Sequence, residues 1–289
     1  MRTRRVLTSP IALATIALTA IVLALALAVA PSAAASARSP VGKRTFTIPS
    51  FAANGSVDPS AATLDEYGSA DLQAMAEKQA RFDSWLAQQQ SGTRLVTKAP
   101  LSYNVSTPLH LQQTGYWCGP ATVEIIDDKW GPIVSGTTET ARQQIYANYM
   151  GTTTAGTNFT VLDNALNYFI TEANVTYIYR AGMGTASAIY DCVQYDVGVT
   201  HYPLAADLRI DPADPYCKWT PYRLYHDGHI VPIDGYNYNV GFYTIRLNDP
   251  NDESRWHPGT GGATAGHHSY PRRTLANGVL ISMRPDLIW

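Results

Sequence analysis

The sequence predicts an α+β domain over residues 101–289, helical in its N-terminal half and built on antiparallel strands after that. Two observations carry the prediction. Over 64–90, 138–150 and 158–170 apolar residues recur at three- and four-residue steps, the period of helices. Beyond residue 228 short segments of β-branched and aromatic residues follow, joined by Asn- and Gly-containing turns. Helices first and strands later exclude a doubly wound parallel sheet, in which the two would alternate.

Taken in order, residues 1–37 read as a secretory signal peptide. Arg2, Arg4 and Arg5 form a basic start, residues 11–30 are almost wholly apolar, and Ala35-Ser36-Ala37 is a small-residue cleavage pattern. The apolar run is also long enough to serve as an uncleaved membrane anchor. Residues 38–60 are rich in Ser, Ala, Pro and Gly without periodicity and read as linker. Over 64–90, Leu64, Tyr67, Leu72, Met75, Ala76, Ala80, Phe82 and Leu86 recur at helical spacing, and Asp65, Glu66 and Asp71 load the early turns with the negative charge a helix dipole prefers. Within the extension 38–100 this helix is either a pro-segment covering an active site or an additional helix of the mature fold.

Residues 120–129 form a short helix with Pro120 in its first turn and Gly131-Pro132 to stop it. Helices are also expected over 138–150, 158–170 and 186–195, with a strand over 175–179. The stretch 201–227 reads as an enlarged loop, and strands are expected over 229–236, 242–248 and 279–283. Asn104, Asn158 and Asn174 each begin a glycosylation-type tripeptide.

An apolar fraction of 45% suits a full globular core. Cleavage after Ala37 removes three Arg and no acidic residue. The 21 Lys and Arg thereby fall to 18 against 23 Asp and Glu, a net charge near −5. With no basic cluster, nucleic acid is excluded as a partner. No segment after Ala37 is long and apolar enough to hold the mature chain in a membrane, so a secreted location is expected. The sequence carries no signal for oligomeric state and none for a cofactor.

The cysteines are three: Cys118, Cys192 and Cys217. In an oxidising compartment an odd set leaves one thiol over. A Cys192–Cys217 bridge would close a loop and add on the order of 3.5 kcal/mol, leaving Cys118 free. The alternative is three buried thiols and no bridge.

Cys118 stands at the mouth of the 120–129 helix. A cysteine nucleophile acts as the thiolate, a form favoured by helix N-termini and by a neighbouring imidazolium, which can then serve as acid for the leaving group. The tetrahedral intermediate needs hydrogen-bond donors. The amide of Cys118 is one natural donor, and Gln112, six residues upstream, offers a second from its side chain.

Of seven histidines, His229 has the most strand-like setting and shares a face with Val231 and Ile233. After a turn near residues 237–241, Tyr243, Ile245, Leu247 and Asp249 share one face of the next strand. In an antiparallel pair Asp249 lands near His229, where a carboxylate orients the imidazole and fixes its tautomer. Pro232 removes a ladder donor and implies an edge strand or a displaced pairing. Asn248 faces the other way in a regular strand but could take the orienting role across a bulge.

Gln112, the block Tyr116-Trp117-Cys118-Gly119-Pro120-Ala121, Gly228-His229 with its apolar strand and Gly235-Tyr236, and the ending Asn248-Asp249-Pro250 together resemble a known family. It is the papain-like bacteriocin-processing (double-glycine leader) peptidases and their stand-alone secreted relatives. The resemblance implies a papain-like cysteine peptidase fold acting on a peptide or protein substrate. It further implies Cys118 as nucleophile, His229 as base and acid, Asp249 as orienting residue and Gln112 as oxyanion donor. The enlarged loop and the region around His267-His268 have no counterpart in that pattern, and no transporter segment follows. Two other readings use the same chain: a non-catalytic secreted binding domain, and an acyltransferase with the same residues. A metal site at His226, His229, His267 and His268 is a third reading, and its spacing fits no common zinc signature.

Overall fold

Seven strands and six helices make up the described part of the chain. In the computed structural model this part comprises residues 69–91, 99–131, 138–170, 172, 175–180, 183, 185–215, 217–239, 243–271 and 286–289. They belong to one compact unit, 43–289. The expected signal peptide, the 38–60 linker and the 279–283 strand lie outside the described residues.

In chain order the elements are α1 (Ser69–Ser91), β1 (Ser102–Asn104), α2 (Cys118–Asp128), α3 (Glu139–Tyr149) and α4 (Leu162–Phe169), the last entered through a single tighter turn at Phe159–Val161. Next come β2 (Tyr179–Arg180), α5 (Ala186–Val193), which runs into a widened turn at Gln194–Thr200, and β3 (Leu204–Arg209). The chain closes with β4 (Gly228–Asn237), β5 (Thr244–Asp249), α6 (Glu253–Trp256), β6 (Gly266–Pro271) and β7 (Leu287–Ile288). Side-chain caps start several helices: Thr138 accepts from the amide of Ala141, Thr185 from Ala188 and Asp252 from Ser254.

The strands form one sheet in the order β2-β7-β3-β4-β5-β6. Each pairing is antiparallel. β4 is its backbone: β3 pairs with its first half, Arg209↔Gly228 to Leu204↔Ile233, and β1 takes over on the second, Asn104↔Gly235 to Ser102↔Asn237. The α+β class expected from the sequence is the architecture observed. One apolar cluster joins α2, α3 and α4 to Ala205, Ile230 and Ile288 of the sheet. A second joins α1 and α5 to Leu204, Ala206, Leu208, Val231, Ile233 and Leu287. The alternation of these residues along β3 and β4 shows that the sheet is covered on both faces.

Several expectations are corrected. β3 lies inside the stretch read as an enlarged loop, and among its described residues, 201–203, 210–215 and 217–227 are loop. With Leu204, Ala205, Ala206 and Leu208 all buried, a strand covered on both faces loses the polar alternation that marks an exposed one. The 175–179 strand starts only at Tyr179, because the chain before it is tied to helix α4, where Asn167 bonds both the amide and the carbonyl of Tyr177 at 2.7 Å. β4 is no edge strand. Pro232 sits opposite Ala205 of β3, and the displaced pairing occurs on the other side as a register shift between Ile233 and Gly235 against β5. The expected Cys192–Cys217 bridge is absent, and each of the three thiols is free. Cys192 is packed on α5 with its sulfur 3.5 Å from Arg180 Nη1, and burial pushes its thiol up to about 12. Cys217 is held in a different tight turn, by its amide to Asp214 O and its carbonyl to Asp211 N.

Helix α1 is fixed to this body by more than apolar contact. Phe82 and Trp85 are buried, and Phe82 meets Trp289 edge-on at 4.7 Å. One turn away, the buried Lys78 ammonium donates to Asp196 Oδ2 at 2.9 Å and to Thr176 O at 3.0 Å, beneath the ring of Trp289. No described helix is long and apolar enough to cross a membrane.

Candidate active site

Cys118 is the first residue of α2, so the helix begins two residues before the expected start. Within it Ala121 N–H already bonds Trp117 O, and Pro120 has no N–H. The amides of Cys118 and Gly119 are therefore the helix's unpaired donors, gathered beside the thiol. Gly119 is required by a close approach: a Cβ there would lie 2.5 Å from Thr157 Oγ1, so the loop after α3 packs directly on this helix end.

The same helix delivers the sulfur to the sheet. Thr122, one turn after Cys118, donates to Ile230 O at 3.0 Å, and Ile230 is the neighbour of His229. The Cys118 sulfur lies near enough to the His229 ring to act on its charge. On its other side His229 Nε2 lies 2.8 Å from Asp249 Oδ1. The strand register explains that pairing. Ile233 stands opposite Leu247, so Asp249, two residues on, falls diagonally across from His229 on the same face, within side-chain reach. Nε2 is thus the donor to the carboxylate, and Nδ1 is left for the sulfur.

Burial alone would lower the His229 imidazole, but the Asp249 carboxylate and the Cys118 sulfur outweigh it and raise it to about 10. Because this lies above the ordinary value near 6.5, His229 is an imidazolium throughout the neutral range. The stabilisation it gives the fold is complete below about pH 6.5 and is lost as pH rises through about 10. Any activity that uses it as an acid should follow: kcat/KM is expected to hold through neutral pH and fall as pH passes about 10. A pH–rate profile checks this.

Gln112 is buried in the loop before α2, and its side-chain Nε2 donates to Thr114 O at 3.0 Å. The backbone around it is clamped from both sides. Its own N–H donates to Pro250 O at 2.8 Å, directly after Asp249, and Arg255 donates to its carbonyl. The buried Gln143 of α3 takes Gln113 N–H at 2.8 Å and returns a bond to Leu111 O at 2.9 Å. Asn248 faces away from His229, donating to Thr107 Oγ1 and Pro108 O, so the alternative orienting residue is not the one in contact. The histidines of the metal reading are dispersed: His226 pairs with Asp211, His267 with Asp234, and His268 with Ala265 O.

The model of the Peptidase_C39 like family matches residues 104–270, more than half of the chain. The chain belongs to the Peptidase_C39 like family. That span contains Gln112, Cys118, His229 and Asp249. No curated protein sequence matches the chain. Among solved structures it is similar to the Amb a 11 cysteine protease of ragweed pollen in its proform, with 15% identity and a TM-score of 0.38 over 67% of this chain and 66% of that one, just under two thirds of its length. It is also similar to a Prevotella intermedia prointerpain A fragment, with 12% identity and a TM-score of 0.38 over 78% and 84% of the two chains. A third likeness is to procathepsin L2 from Tenebrio molitor larval midgut, with 14% identity and a TM-score of 0.35 over 70% and 71%. These likenesses are distant, and the fold rests on the chain's own sheet and helices.

Four residues at the site escape the sequence reading: Tyr222, Tyr225, Asn251 and Glu253. Tyr222 O–H donates to Asp249 Oδ2 at 2.9 Å, and the Asn251 amide donates to Asp249 Oδ1 at 2.8 Å. Tyr225 brings its ring within 5.8 Å of His229 and donates to Gly228 O at 2.6 Å. Asn251 has a local signal, since an amide two residues after a strand-end Asp is the usual partner of an Asx turn. The tyrosines have none, because they arrive from an irregular loop.

Proposed function

We propose that the chain is a secreted papain-like cysteine peptidase that hydrolyses peptide bonds through a thioester on Cys118. The observation that carries this reading is His229, bonded through Nε2 to Asp249 at 2.8 Å and raised by the nearby sulfur of Cys118, the first residue of α2. Membership of the Peptidase_C39 like family and the apolar N-terminal run of the sequence support it.

The chemistry follows from the groups present. The imidazolium of His229 holds negative charge on the Cys118 sulfur, which attacks the substrate carbonyl carbon. The oxyanion then faces the Cys118 amide and one N–H of the Gln112 side chain, which carries a second proton beyond the one on Thr114 O. As the C–N bond breaks, His229 gives its Nδ1 proton to the leaving amine, and the acyl group stays on sulfur as a thioester. Neutral His229 next takes a proton from water, and the hydroxide attacks the thioester. Collapse of that adduct expels the thiolate, releases the acid and restores the ion pair. Asp249, bonded to Nε2 throughout, keeps the ring in the tautomer that presents Nδ1 to sulfur.

The test is digestion of a diverse peptide pool, wild type against Cys118→Ala. Cleavage by the wild type alone supports the reading. Cleavage by both, or by neither with Cys118 still reactive, sinks it, and the second result would favour a binding domain on the same scaffold.

A further inference from the structure

Each oxygen of Asp249 is engaged, and only one of them by His229. Oδ1 accepts from His229 Nε2 and from Asn251 N–H, both at 2.8 Å, while Oδ2 accepts from Tyr222 O–H at 2.9 Å. Behind Tyr222 the bonds continue in one direction. Asn251 Nδ2 donates to the Tyr222 oxygen at 3.2 Å, and Trp256 Nε1 donates to Asn251 Oδ1 at 2.9 Å. Such a chain of donors is mutually polarising and ends on the carboxylate that faces the imidazole. Tyr222 is buried, and its ring stands edge-on to His229 at 5.9 Å, beside a second edge-on ring, Tyr225, at 5.8 Å, the two tyrosine rings being 5.8 Å apart.

The loop that carries both tyrosines has no regular structure and exposes Arg223 and Leu224, so something must hold it. Glu253 does. Its Oε1 accepts from Leu224 N and Tyr225 N at 2.7 Å each, and its Oε2 from Arg223 N at 3.0 Å and Gly262 N at 2.6 Å. Although burial opposes it, these four amides keep the carboxyl below its usual range. Gly262 is needed for the fit, since a Cβ there would lie 2.1 Å from Pro221 O.

We propose that Tyr222 is a positioning residue of this site: its hydroxyl pins Oδ2 of Asp249 so that Oδ1 stays on His229, and Glu253 fixes the loop that delivers it. The terminal torsion of an Asp is broad and roughly two-fold. A carboxylate bonded at one oxygen alone can turn, and bonds at both oxygens set its plane. Tyr222 acts through Asp249, to which its hydroxyl is bonded. This inference rests on the Cys118–His229 reading above.

Tyr222→Phe removes the one hydroxyl and keeps the ring. Loss of a hydrogen bond to a charged group predicts about a tenfold fall in kcat with KM within about twofold. The specific readout is the rate of Cys118 alkylation by iodoacetamide against pH, which needs no substrate. In the wild type that rate should change as His229 deprotonates near pH 10. Without the tyrosine proton the charge of Asp249 is less compensated at the imidazole, so the alkaline step should move upward in Tyr222→Phe. A step that stays in place or moves down, even with kcat reduced, marks a merely structural role and overturns the assignment. A wild type with no alkaline step would overturn the Cys118–His229 pairing itself, and this inference with it. Should Tyr222→Phe fail to fold, Asn251→Ala removes the donor behind the hydroxyl and carries the same test. An upward step and about a threefold fall in kcat are then expected, and an unmoved step overturns the proposal.

Discussion

Cys118→Ala is expected to lower kcat/KM for peptide cleavage by roughly 10⁴-fold or more while leaving the fold intact. The size follows from the route. Without the sulfur there is no thioester, and His229 is left to promote direct attack by water in a site shaped for a two-step reaction. Alanine in place of a buried thiol at a helix start removes one atom beyond Cβ, so the stability cost should be small and the loss chemical. His229→Ala should cost a similar factor. Combining the two should cost little more than either alone, because groups that act as one unit are not additive. Gln112→Ala should be milder, about 10²- to 10³-fold in kcat, the usual loss for one oxyanion donor. Steady-state kinetics on a peptide found in the pool digestion checks all of these.

The second large effect concerns stability and lies far from the sulfur. Lys78→Met should destabilise the chain by about 3–5 kcal/mol, because it strands the buried carboxylate of Asp196. Burial pushes Lys78 down and Asp196 up, so each is tolerated inside only because the other is there. The loss should appear as a fall of roughly 10 °C in the melting midpoint. Pairing Lys78→Met with Asp196→Leu should recover much of it, since a buried ion pair is often replaceable by apolar residues as a unit. The consequence for maturation is direct. A segment whose lysine neutralises a core carboxylate and whose Phe82 and Trp85 are buried is part of the folded body. We therefore expect the mature N-terminus, read by mass spectrometry, to lie before Ser69. A mature chain starting after Ser91 with unchanged stability would contradict this.

Much of the site was legible because its residues carry local signals. Cys118 and Pro120 mark a helix start, and the two-residue periods through His229 and Asp249 fix which faces they share. Antiparallel pairing then suffices to bring them together. What was illegible depends on burial that no local pattern announces. β3 hides because both its faces are covered, and its Ala205 and Ala206 look like loop or helix. β6 hides because His267 and His268 give it no apolar pattern, although they pair with Asn248 and Leu247 of β5. The bridge inferred from an odd cysteine count fails for a spatial reason, each thiol being packed among its own neighbours. Tyr222 and Glu253 are invisible in sequence because their partners lie about thirty residues away, with β4 and β5 between them.

The role of Cys118 is tested by the site and rate of alkylation by iodoacetamide at neutral pH, mapped by mass spectrometry in wild type and His229→Ala. The chain has three free thiols, and burial raises two of them, Cys192 to about 12 and Cys217 above its ordinary value, which disfavours their thiolates. A single rapid modification at Cys118, slowed at least tenfold by His229→Ala, is the result expected. Equal labelling of all three thiols, or a Cys118 rate indifferent to His229, would contradict it.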